Sequence, residues 1–510
     1  MIAEVKTCCL TGLDGHIVTV EADVSQGLPA FEIVGLPDAA VKEARERVRA
    51  AIKNCGYEFP SRRYTINLAP SGIKKEGSLF DLPIAIAILK ATEQIKTGIE
   101  HTVVLGELSL SGEVRPVPGV LPAVMDTAKA GLCRFVVPYD NAKEAALVRK
   151  TAIFGVKTLR QAAELLTGET PMQETFVNFN ELFKRNSVYP YDFSEVRGQT
   201  IVKRAIEVAA SGGHNCLIVG SPGSGKTMLA QRIPSILPDL TPEEALETTK
   251  IYSVAGLLKN GLSLITRRPF RAPHHSISTV GLVGGGSVPR PGELSLAHNG
   301  VLFLDEFPEF RRDATEVMRQ PIEDGEVRIT RVAASVTYPC RTMLVAAMNP
   351  CKCGYYGDRN RKCRCSEASV QRYLSKISGP LLDRIDIQIE VPPLSFEELS
   401  DERQSESSAD IRARVAKARR RAVNRYAASG DTVFSNAALT SHQIRKYCTL
   451  EPAAQTLLKN AFERLGLSGR GYDRILRVAR TVADLDDSDM IKAKHIAEAI
   501  QLRSLDRKYW

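Results

Sequence analysis

The sequence predicts an α/β protein in which two α/β domains are followed by a helical region. Its 510 residues exceed the size at which one hydrophobic core stops growing, so several compact units are expected. In residues 1–168, stretches with strand-like alternation are separated by stretches with helical periodicity. Residues 196–395 contain continuous apolar stretches, such as CLIVG and VLFLDE, which are typical of parallel strands covered on both faces of the sheet.

The predicted elements form four segments along the chain. Segment 1–168 alternates strands such as HIVTVEADV and RYTINLAP with helices such as DAAVKEARERVRAAIKNCG. Residues 169–195 are polar with scattered aromatics and no clear period, so we predict a linker. In residues 196–395 the helix IVKRAIEVAASG precedes the strand CLIVG, and the strands VLFLDE, RTMLVAAMN and IDIQIEV follow. Residues 396–510 are predicted to form a helical domain.

The composition is that of an ordinary globular protein. The chain is 44% hydrophobic and 25% charged, and no apolar run approaches the roughly 18 residues of a membrane span. Its first residues alternate like a strand and carry acids, unlike a signal peptide, so we expect a cytoplasmic protein. Eleven cysteines, an odd number, indicate metal ligands or buried thiols rather than a disulfide framework. A net charge of +9 is too small to identify a polyanion partner by itself.

A phosphate-binding loop is predicted between the strand CLIVG and the helix that begins with KTMLAQ. This context is the one that the G-x-x-x-x-G-K-[ST] pattern requires, because the glycines turn backbone N–H groups toward phosphate oxygens at a helix N-terminus. Lys226 is expected to reach the β and γ phosphates of ATP, and Thr227 to ligate Mg²⁺. The predicted nucleotide-binding residues are Gly220, Ser221, Pro222, Gly223, Ser224, Gly225, Lys226 and Thr227.

The strand VLFLDE ends in two acids that complete a hydrolytic site. Asp305 is predicted to hold the magnesium shell, and Glu306 to orient and deprotonate the attacking water. Because the carboxyl ends of parallel strands meet at one edge of the sheet, these acids are expected beside the phosphate loop. The pair therefore predicts ATP hydrolysis with Mg²⁺.

Three further polar residues are candidates for the same site. Asn349 ends the strand RTMLVAAMN and is predicted to position the lytic water as a sensor, although an Asn there is also a common turn former. Arg384 is predicted to act as an arginine finger on a neighbouring subunit, the alternative being a surface or Asp-paired arginine. Arg470 is the candidate lid arginine, with Arg474 and Arg477 as competitors. A finger that acts in trans implies a ring of subunits, for which we expect a hexamer.

Long phrases of the chain resemble the helix-2-insert clade of AAA+ ATPases, which contains the magnesium chelatase motor subunit and the MCM replicative helicases. The phrases run from about Val196 to Leu505 and include RRPFRAPHHSIS, LVGGGSVPRPGELSLAHNGVLFLDEFPEF, RQPIEDGEVRITR, VAAMNPCKCGYYG and GYDRILRVARTVADL. Within this clade the chain most resembles the YifB/ComM magnesium-chelatase-like group. The resemblance implies a helix-2 insert at residues 267–292.

The resemblance also implies that VRITRVAASVTYP is a pre-sensor 1 hairpin with Arg331 at its tip. MCM helicases carry a lysine there that tracks the DNA backbone. A cation on a hairpin in a ring's channel would grip phosphates without reading bases, so DNA binding would tolerate any sequence and weaken with salt. The alternative is that Arg331 merely caps a solvated turn.

Residues 61–140 resemble the proteolytic domain of Lon, a fold of the ribosomal S5 type. The phrases GEVRPVPGVLPAVMDTAKAGL and IKKEGSLFDLPIAIAI match the segments around the catalytic lysine and serine of Lon. However, Leu121 stands at the lysine position and Leu79 at the serine position. A leucine can neither attack a carbonyl nor accept a proton, and the neighbouring Ser78 has no general base. We therefore expect no protease activity, and a role in ring assembly or in binding DNA or a partner.

Two other patterns leave alternatives open. The phrase NPCKCGYYGDRNRKCRCS carries Cys351, Cys353, Cys363 and Cys365, which could surround a tetrahedral Zn²⁺, although C-x-C is tighter than the usual C-x₂-C. Reduced free thiols are the alternative. The helix predicted at 411–426 is either a polyanion-binding face or a solvated helix on a linker. Its polar sides carry, among other cations, Arg412, Lys417, Arg419, Arg420 and Arg421.

These features together predict an Mg-ATP-driven ring motor that acts on single-stranded or branched DNA. The resemblance to the YifB/ComM group implies helicase or branch-migration activity during homologous recombination of incoming DNA in natural transformation. The alternative, from the chelatase resemblance, is a motor that remodels a protein partner for magnesium insertion into a porphyrin. A third possibility is a nucleotide-gated scaffold in which hydrolysis is incidental.

Overall fold

The computed structural model describes residues 2–96, 101–171, 173–185, 189–258, 263–286, 288–331, 335–358, 361–393, 398, 405–503 and 505. The chain divides into two compact units. Unit 1 comprises Met1–Asn186, Pro242–Thr266 and Ile329–Tyr338, and unit 2 comprises Ser187–Thr241, Arg267–Arg328 and Pro339–Trp510. Among the described residues, no helix is long and apolar enough to cross a membrane.

Strands and helices alternate along the first 185 residues, as the sequence predicts. The strands are β1 (Ile2–Thr11), β2 (Asp14–Ser25), β3 (Ala30–Val34), β4 (Arg63–Ala69), β5 (Thr102–Val104), β6 (Glu107–Leu108), β7 (Val114–Arg115), β8 (Arg134–Pro138) and β9 (Ala152–Val156). The helices are α1 (Ala39–Asn54), α2 (Asp81–Ala91), α3 (Val120–Lys129), α4 (Ala142–Ala145), α5 (Leu159–Thr167) and α6 (Phe179–Arg185). Helix α6 lies inside the segment that the sequence predicts as a linker.

The remaining elements begin at residue 200. The strands are β10 (Cys216–Gly220), β11 (Phe270–Arg271), β12 (Gly284–Gly285), β13 (Arg290–Pro291), β14 (Val301–Leu304), β15 (Glu326–Thr330), β16 (Ser335–Pro339), β17 (Met343–Met348) and β18 (Ile387–Val391). The helices are α7 (Thr200–Gly212), α8 (Lys226–Ile236), α9 (Pro242–Val254), α10 (Thr279–Val283), α11 (Glu293–Leu296), α12 (Arg312–Val317), α13 (Arg319–Asp324), α14 (Glu367–Leu374), α15 (Gly379–Leu382), α16 (Ser408–Ala427), α17 (Ser441–Tyr447), α18 (Pro452–Leu465), α19 (Gly469–Leu485) and α20 (Ala493–Gln501). Single 3₁₀ turns occur at Ser78–Phe80, Tyr139–Asn141, Phe193–Glu195, Phe307–Glu309 and Asn436–Ala438.

Unit 1 is built on a seven-stranded mixed sheet of order β3-β4-β2-β1-β5-β8-β9. The long strands β1 and β2 pair antiparallel along their whole length, from Ile2 opposite Asp23 to Thr11 opposite Asp14. Their side chains alternate between the two faces, which accounts for the alternating pattern in the sequence. Helix α2 is apolar on all sides and buried along its whole length but for Lys90, so it forms the centre of this core.

Unit 2 contains the parallel sheet that the continuous apolar strands predict. Its order is β11-β14-β17-β10-β18, and every pairing is parallel. All residues of β10, β14 and β17 are buried. The carboxyl ends of these three central strands open at one edge of the sheet, where ligands bind in such folds.

The basic helix α16 is not a solvated linker helix, because one of its faces is part of the core of unit 2. Ile411, Val415 and Ala418 are buried in the core of unit 2. Its cations are engaged by neighbouring groups of the same unit: Lys417 and Arg421 pair with acids near the end of α19. Arg412 pairs with Asp239, and Arg414 pairs with Glu207 and Glu406. Arg419 donates to the Ala210 carbonyl, and Arg425 pairs with Asp484. The sequence misses these pairings because the partner acids are far away along the chain.

Asp484 is the centre of this ion-pair network. It is buried, accepts from Asn436 Nδ2 at 2.9 Å, lies 3.1 Å from the buried Arg480 guanidinium and also pairs with Arg425. We expect Asp484→Asn to lower the free energy of unfolding by roughly 3 kcal/mol, because it leaves buried cations without a counter-charge. Thermal and urea unfolding would measure the loss. The control Asp489→Asn removes a carboxylate that is 96% exposed and should change stability little.

Candidate nucleotide-binding site

The predicted phosphate-binding loop connects β10 to α8. Gly220 passes so close to β18 that a Cβ would lie 2.7 Å from the carbonyl oxygen of Val391, so only glycine fits there. Gly223 and Gly225 have φ of +78° and +88°, a region that residues with a side chain rarely adopt. The loop is therefore a sharp turn at the edge of the sheet, followed directly by the N-terminus of α8.

Lys226 points back into this loop. Its Nζ donates to the carbonyls of Gly220 and Ser221 at 2.8 and 3.0 Å and to Asn349 Oδ1 at 3.1 Å. Burial lowers the pKa of Lys226, and the nearby charge of Asp305 opposes that effect. The sensor candidate Asn349 thus contacts the lysine that is predicted to reach the nucleotide phosphates.

Thr227 and Asp305 come together as the sequence predicts. Thr227 Oγ1 donates to Asp305 Oδ2 at 2.7 Å, and Asp305 Oδ1 accepts from the backbone N–H of Glu306 at 2.9 Å. A hydroxyl and a carboxylate of this kind are the oxygen ligands that Mg²⁺ prefers beside nucleotide phosphates. The donor set and the loop therefore fit a magnesium-bound nucleotide.

Glu306 has a neighbour that the sequence analysis missed. Its side chain is 59% exposed, and His275 Nδ1 lies 3.4 Å from its Oε2. His275 lies shortly after β11. Because β11 pairs with β14, this segment lies close to the acids that follow β14. The only signal in the sequence is the His-His pair in RAPHHSIS, which by itself indicates a family resemblance and not a site.

The candidate finger Arg384 is held by groups of its own chain. The guanidinium donates to the carbonyls of Arg319 and Pro380 at 2.9 and 2.7 Å and to Glu323 Oε2 at 2.7 Å. Its side chain is only 11% exposed. This geometry is that of an acid-paired arginine, and the action of Arg384 on a neighbouring subunit stays a prediction.

The lid candidates differ in exposure. Arg470, at the start of α19, is 68% exposed and lies 3.8 Å from Asp383. Arg474, one turn later, is buried between Asp383 and Asp386, at 3.7 and 3.8 Å from their carboxylates. Of the two, Arg470 has the accessible guanidinium that a nucleotide contact requires.

The predicted hairpin forms between β15 and β16. Arg331 follows β15 and is exposed, whereas residues 332–334 of the same phrase lie outside the described residues. Residues 329–338 belong to unit 1, where Val336 occupies the space in front of Gly12. Strand β16 is thus packed at Val336, close to the tip, and Arg331 remains accessible.

Four cysteine thiols lie together in the loop that follows β17. The Sγ atoms of Cys351, Cys353, Cys363 and Cys365 are all within 4.8 Å of one another. Cys351 Sγ is 3.3 Å from that of Cys353 and 3.7 Å from that of Cys363. In tetrahedral zinc sites with Zn–S bonds of about 2.3 Å, sulfurs lie about 3.8 Å apart. The geometry and the donor set therefore fit a metal ion such as Zn²⁺.

Three family models match successive parts of the chain. The model described as magnesium chelatase, subunit ChlI, matches residues 192–399, and its C-terminal counterpart matches residues 405–503. A model described as subunit ChlI of Mg-chelatase matches residues 20–141.

Two relatives match the chain over almost its whole length. YifB from Escherichia coli (strain K12) is 43% identical over 506 residues, 99% of this chain and 97% of YifB. Competence protein ComM from Haemophilus influenzae is 42% identical over 510 residues, 97% of this chain and 96% of ComM. The chain belongs to the YifB/ComM family of magnesium-chelatase-like proteins. It is therefore an AAA ATPase of the magnesium-chelatase type, with a ChlI-like N-terminal domain, a central domain on a parallel sheet and a helical C-terminal domain.

The N-terminal domain of this family member also has a distant similarity to proteases. An archaeal Lon protease from Thermococcus kodakarensis is 28% identical over 172 residues, 31% of this chain and 26% of the protease. Of the two residues that the resemblance places at the positions of the Lon dyad, Leu79 lies in the 3₁₀ turn before α2 and Leu121 is fully buried in α3. The neighbouring Ser78 Oγ hydrogen-bonds to the carboxylate of Glu107. Neither a lysine nor a histidine is among its hydrogen-bond partners in the described part of the chain.

Replacing Glu306 by Gln tests its assigned role. We expect ATP binding to persist and kcat to fall at least about 100-fold, because the amide cannot accept the proton of the attacking water. Equilibrium binding of ATP and steady-state phosphate release would separate the two effects. The control Glu309→Gln, three residues on and paired with Lys376 at 2.9 Å, should hydrolyse ATP like the wild type. A Glu306→Gln protein that kept a tenth of the wild-type kcat would refute the assignment.

Replacing His275 by Gln tests whether its contact orients Glu306. Loss of one such contact should lower kcat by about three- to tenfold without changing the affinity for ATP. His274→Gln is the matched control, because His274 Nδ1 contacts Ser276 Oγ at 2.8 Å instead. A kcat of His275→Gln equal to that of the wild type would show that His275 has no positioning role.

Proposed function

We propose that this chain is an Mg-ATP-driven ring motor that acts on DNA, with helicase or branch-migration activity during homologous recombination of incoming DNA. One observation supports the ATP-driven part above all others. Lys226, Asn349, Thr227 and Asp305 form one set of direct contacts around the glycine loop, with Glu306 next to it. This is the set of groups that binds a magnesium-bound triphosphate and activates water against it.

Each group has a distinct role in this proposal. Thr227 and Asp305 would hold Mg²⁺, which would supply positive charge against the phosphates. Lys226 and the loop N–H groups would bind the phosphates. Glu306 orients and deprotonates the attacking water, and Asn349 senses the γ phosphate. The three N–H donors of Lys226 Nζ are taken by Gly220, Ser221 and Asn349, so at least one of these contacts is exchanged for a phosphate oxygen when the nucleotide binds.

A homo-hexameric ring follows from the role proposed for Arg384. Its hydrogen bonds to α13 and to the start of α15 fix the direction of the guanidinium, which suits a group that must meet a neighbour's nucleotide in one geometry. Arg470 is proposed to contact the nucleotide from the lid of the same subunit. The nucleotide would then lie between subunits, so that hydrolysis and ring motion are linked.

DNA is the proposed track for two reasons. Arg331 is an exposed cation next to the tip of a hairpin whose strand β16 is packed at Val336. A full-length relative carries the name competence protein, which supports a role with incoming DNA. Arg331 is proposed to contact phosphates of single-stranded or branched DNA without reading bases.

The N-terminal domain and the cysteine cluster complete the proposal. We propose that the N-terminal domain has a Lon-protease-like fold of the ribosomal S5 type that has lost its proteolytic dyad. It would then serve ring assembly or partner binding. We also propose that the four cysteines bind Zn²⁺, because thiolates are the ligands that Zn²⁺ prefers in structural sites.

The second candidate function is remodelling of a protein partner, as expected of a magnesium-chelatase-type motor. The description of the matching family models favours it. The two functions differ in their response to DNA, since a chelatase-type motor has no reason to hydrolyse ATP faster when branched DNA is present.

Migration of a four-way DNA junction tests the proposed activity. We expect the wild type to migrate the junction with ATP, and branched DNA to stimulate its ATPase. Lys226→Ala should abolish both, and Arg331→Ala should keep basal ATPase but lose migration and reduce the salt dependence of DNA binding. Arg328→Ala is the matched control, because this exposed arginine is already paired with Glu326 at 2.6 Å.

Two outcomes would contradict the proposal. An ATPase that is indifferent to DNA would reject the DNA motor in favour of the remodelling function. Migration that is lost in Lys226→Ala but retained in Arg331→Ala would reject the role of the hairpin alone.

A further inference from the structure

The cysteine cluster and the nucleotide site are built from one continuous segment. Strand β17 ends at Met348, the next residue Asn349 accepts from Lys226 Nζ, and Cys351 follows two residues later. Cys351 is fully buried, and its carbonyl accepts from the backbone N–H of Gly354 at 3.0 Å. The first cysteine is thus part of the turn that carries the sensor candidate.

This turn packs directly on the nucleotide loop. Gly354 has φ of +86°, and a Cβ at this position would lie 2.6 Å from Cγ of Pro222. Pro222 lies inside the predicted phosphate loop. The backbone of the cysteine segment therefore forms a wall against which the nucleotide loop rests.

The second pair of cysteines returns the chain to the same place. Cys363 and Cys365 lead into α14, which carries the buried Tyr373; burial raises the pKa of this phenol, and the nearby backbone N–H of Asn349 opposes that rise. Both ends of the cysteine segment thus lie near Asn349, one directly along the chain and one through the helix that carries Tyr373.

The described part of this segment has few apolar side chains of its own. Lys352, Arg361, Lys362 and Arg364 are exposed, and Cys353, Cys363 and Cys365 are partly exposed. Such a short polar segment lacks a core, and a metal bound by four thiolates supplies the missing cross-link. Among the described residues of this segment, the four thiols are the groups best placed to hold Gly354 against Pro222.

We propose that Zn²⁺ bound by the four cysteines keeps this segment against Pro222 and thereby sets the affinity of the nucleotide loop for ATP. The inference rests on the proposed ATPase function of the loop and adds a metal that regulates it. The metal takes no part in hydrolysis, since its ligands leave no coordination position open. When zinc is lost, the contact between Gly354 and Pro222 loosens, and the affinity of the nucleotide loop for ATP falls.

The test uses the full-length protein and two kinds of variant. Metal analysis of the wild type should find one zinc per chain. Cys353→Ser should lose the zinc and bind a fluorescent ATP analogue about tenfold more weakly, whereas the exposed Cys133→Ser should match the wild type in both. Gly354→Ala should retain zinc yet weaken nucleotide binding by a similar factor, because the added methyl group displaces Pro222.

Gly430→Ala is the control for backbone strain, because Gly430 has φ of +75° with nothing within 4 Å of an added Cβ. It should bind nucleotide like the wild type. The inference would be overturned if the wild-type protein contained no zinc. It would also be overturned if the zinc-free variant or Gly354→Ala bound the ATP analogue with wild-type affinity. Wild-type protein that binds no ATP would instead refute the proposed ATPase site, so the two failures are distinguishable.

Discussion

The close approach of Gly220 to the carbonyl of Val391 is the constraint on which the nucleotide site depends. Two parallel strands converge there without room for a side chain, so the chain must turn sharply away from the sheet. That turn aims the start of α8 at the carboxyl ends of β14 and β17. Lys226, Thr227, Asp305 and Asn349 reach one another because these three strands end together.

A second set of contacts connects the sheet to the helical domain. His214 is buried between Asp386 and Thr481, with Nδ1 3.2 Å from the carboxylate and Nε2 2.7 Å from the hydroxyl. Burial would raise the pKa of Asp386, but the hydrogen bond with His214 and the charge of Arg474 lower it below its ordinary value. An ionised Asp386 therefore holds α19 on the edge strand β18. Asp383, which pairs with both Arg470 and Arg474, adds a second connection between the start of α19 and the residues that precede β18.

Local patterns predict much of the fold and of the site. Buried parallel strands are recognisable because both faces must be apolar. The glycine loop and the acids after β14 are recognisable because each motif is a short continuous stretch of sequence. Contacts between distant segments cannot be read in this way. His275 reaches Glu306 only because β11 pairs with β14, and Arg384 finds Glu323 across two helices. The pairing of the basic helix with acids of α19 is missed for the same reason.

Glu306 adopts φ of +51°, a left-handed conformation that costs a non-glycine residue about 1 kcal/mol. The strain is retained at the residue that is proposed to activate water, where a relaxed backbone would aim the carboxylate elsewhere. A relaxed backbone at residue 306 would therefore raise stability and lower turnover. A directed-evolution experiment that rewards only heat resistance would favour Gly or Asn at residue 306 and would recover a more robust but inactive enzyme.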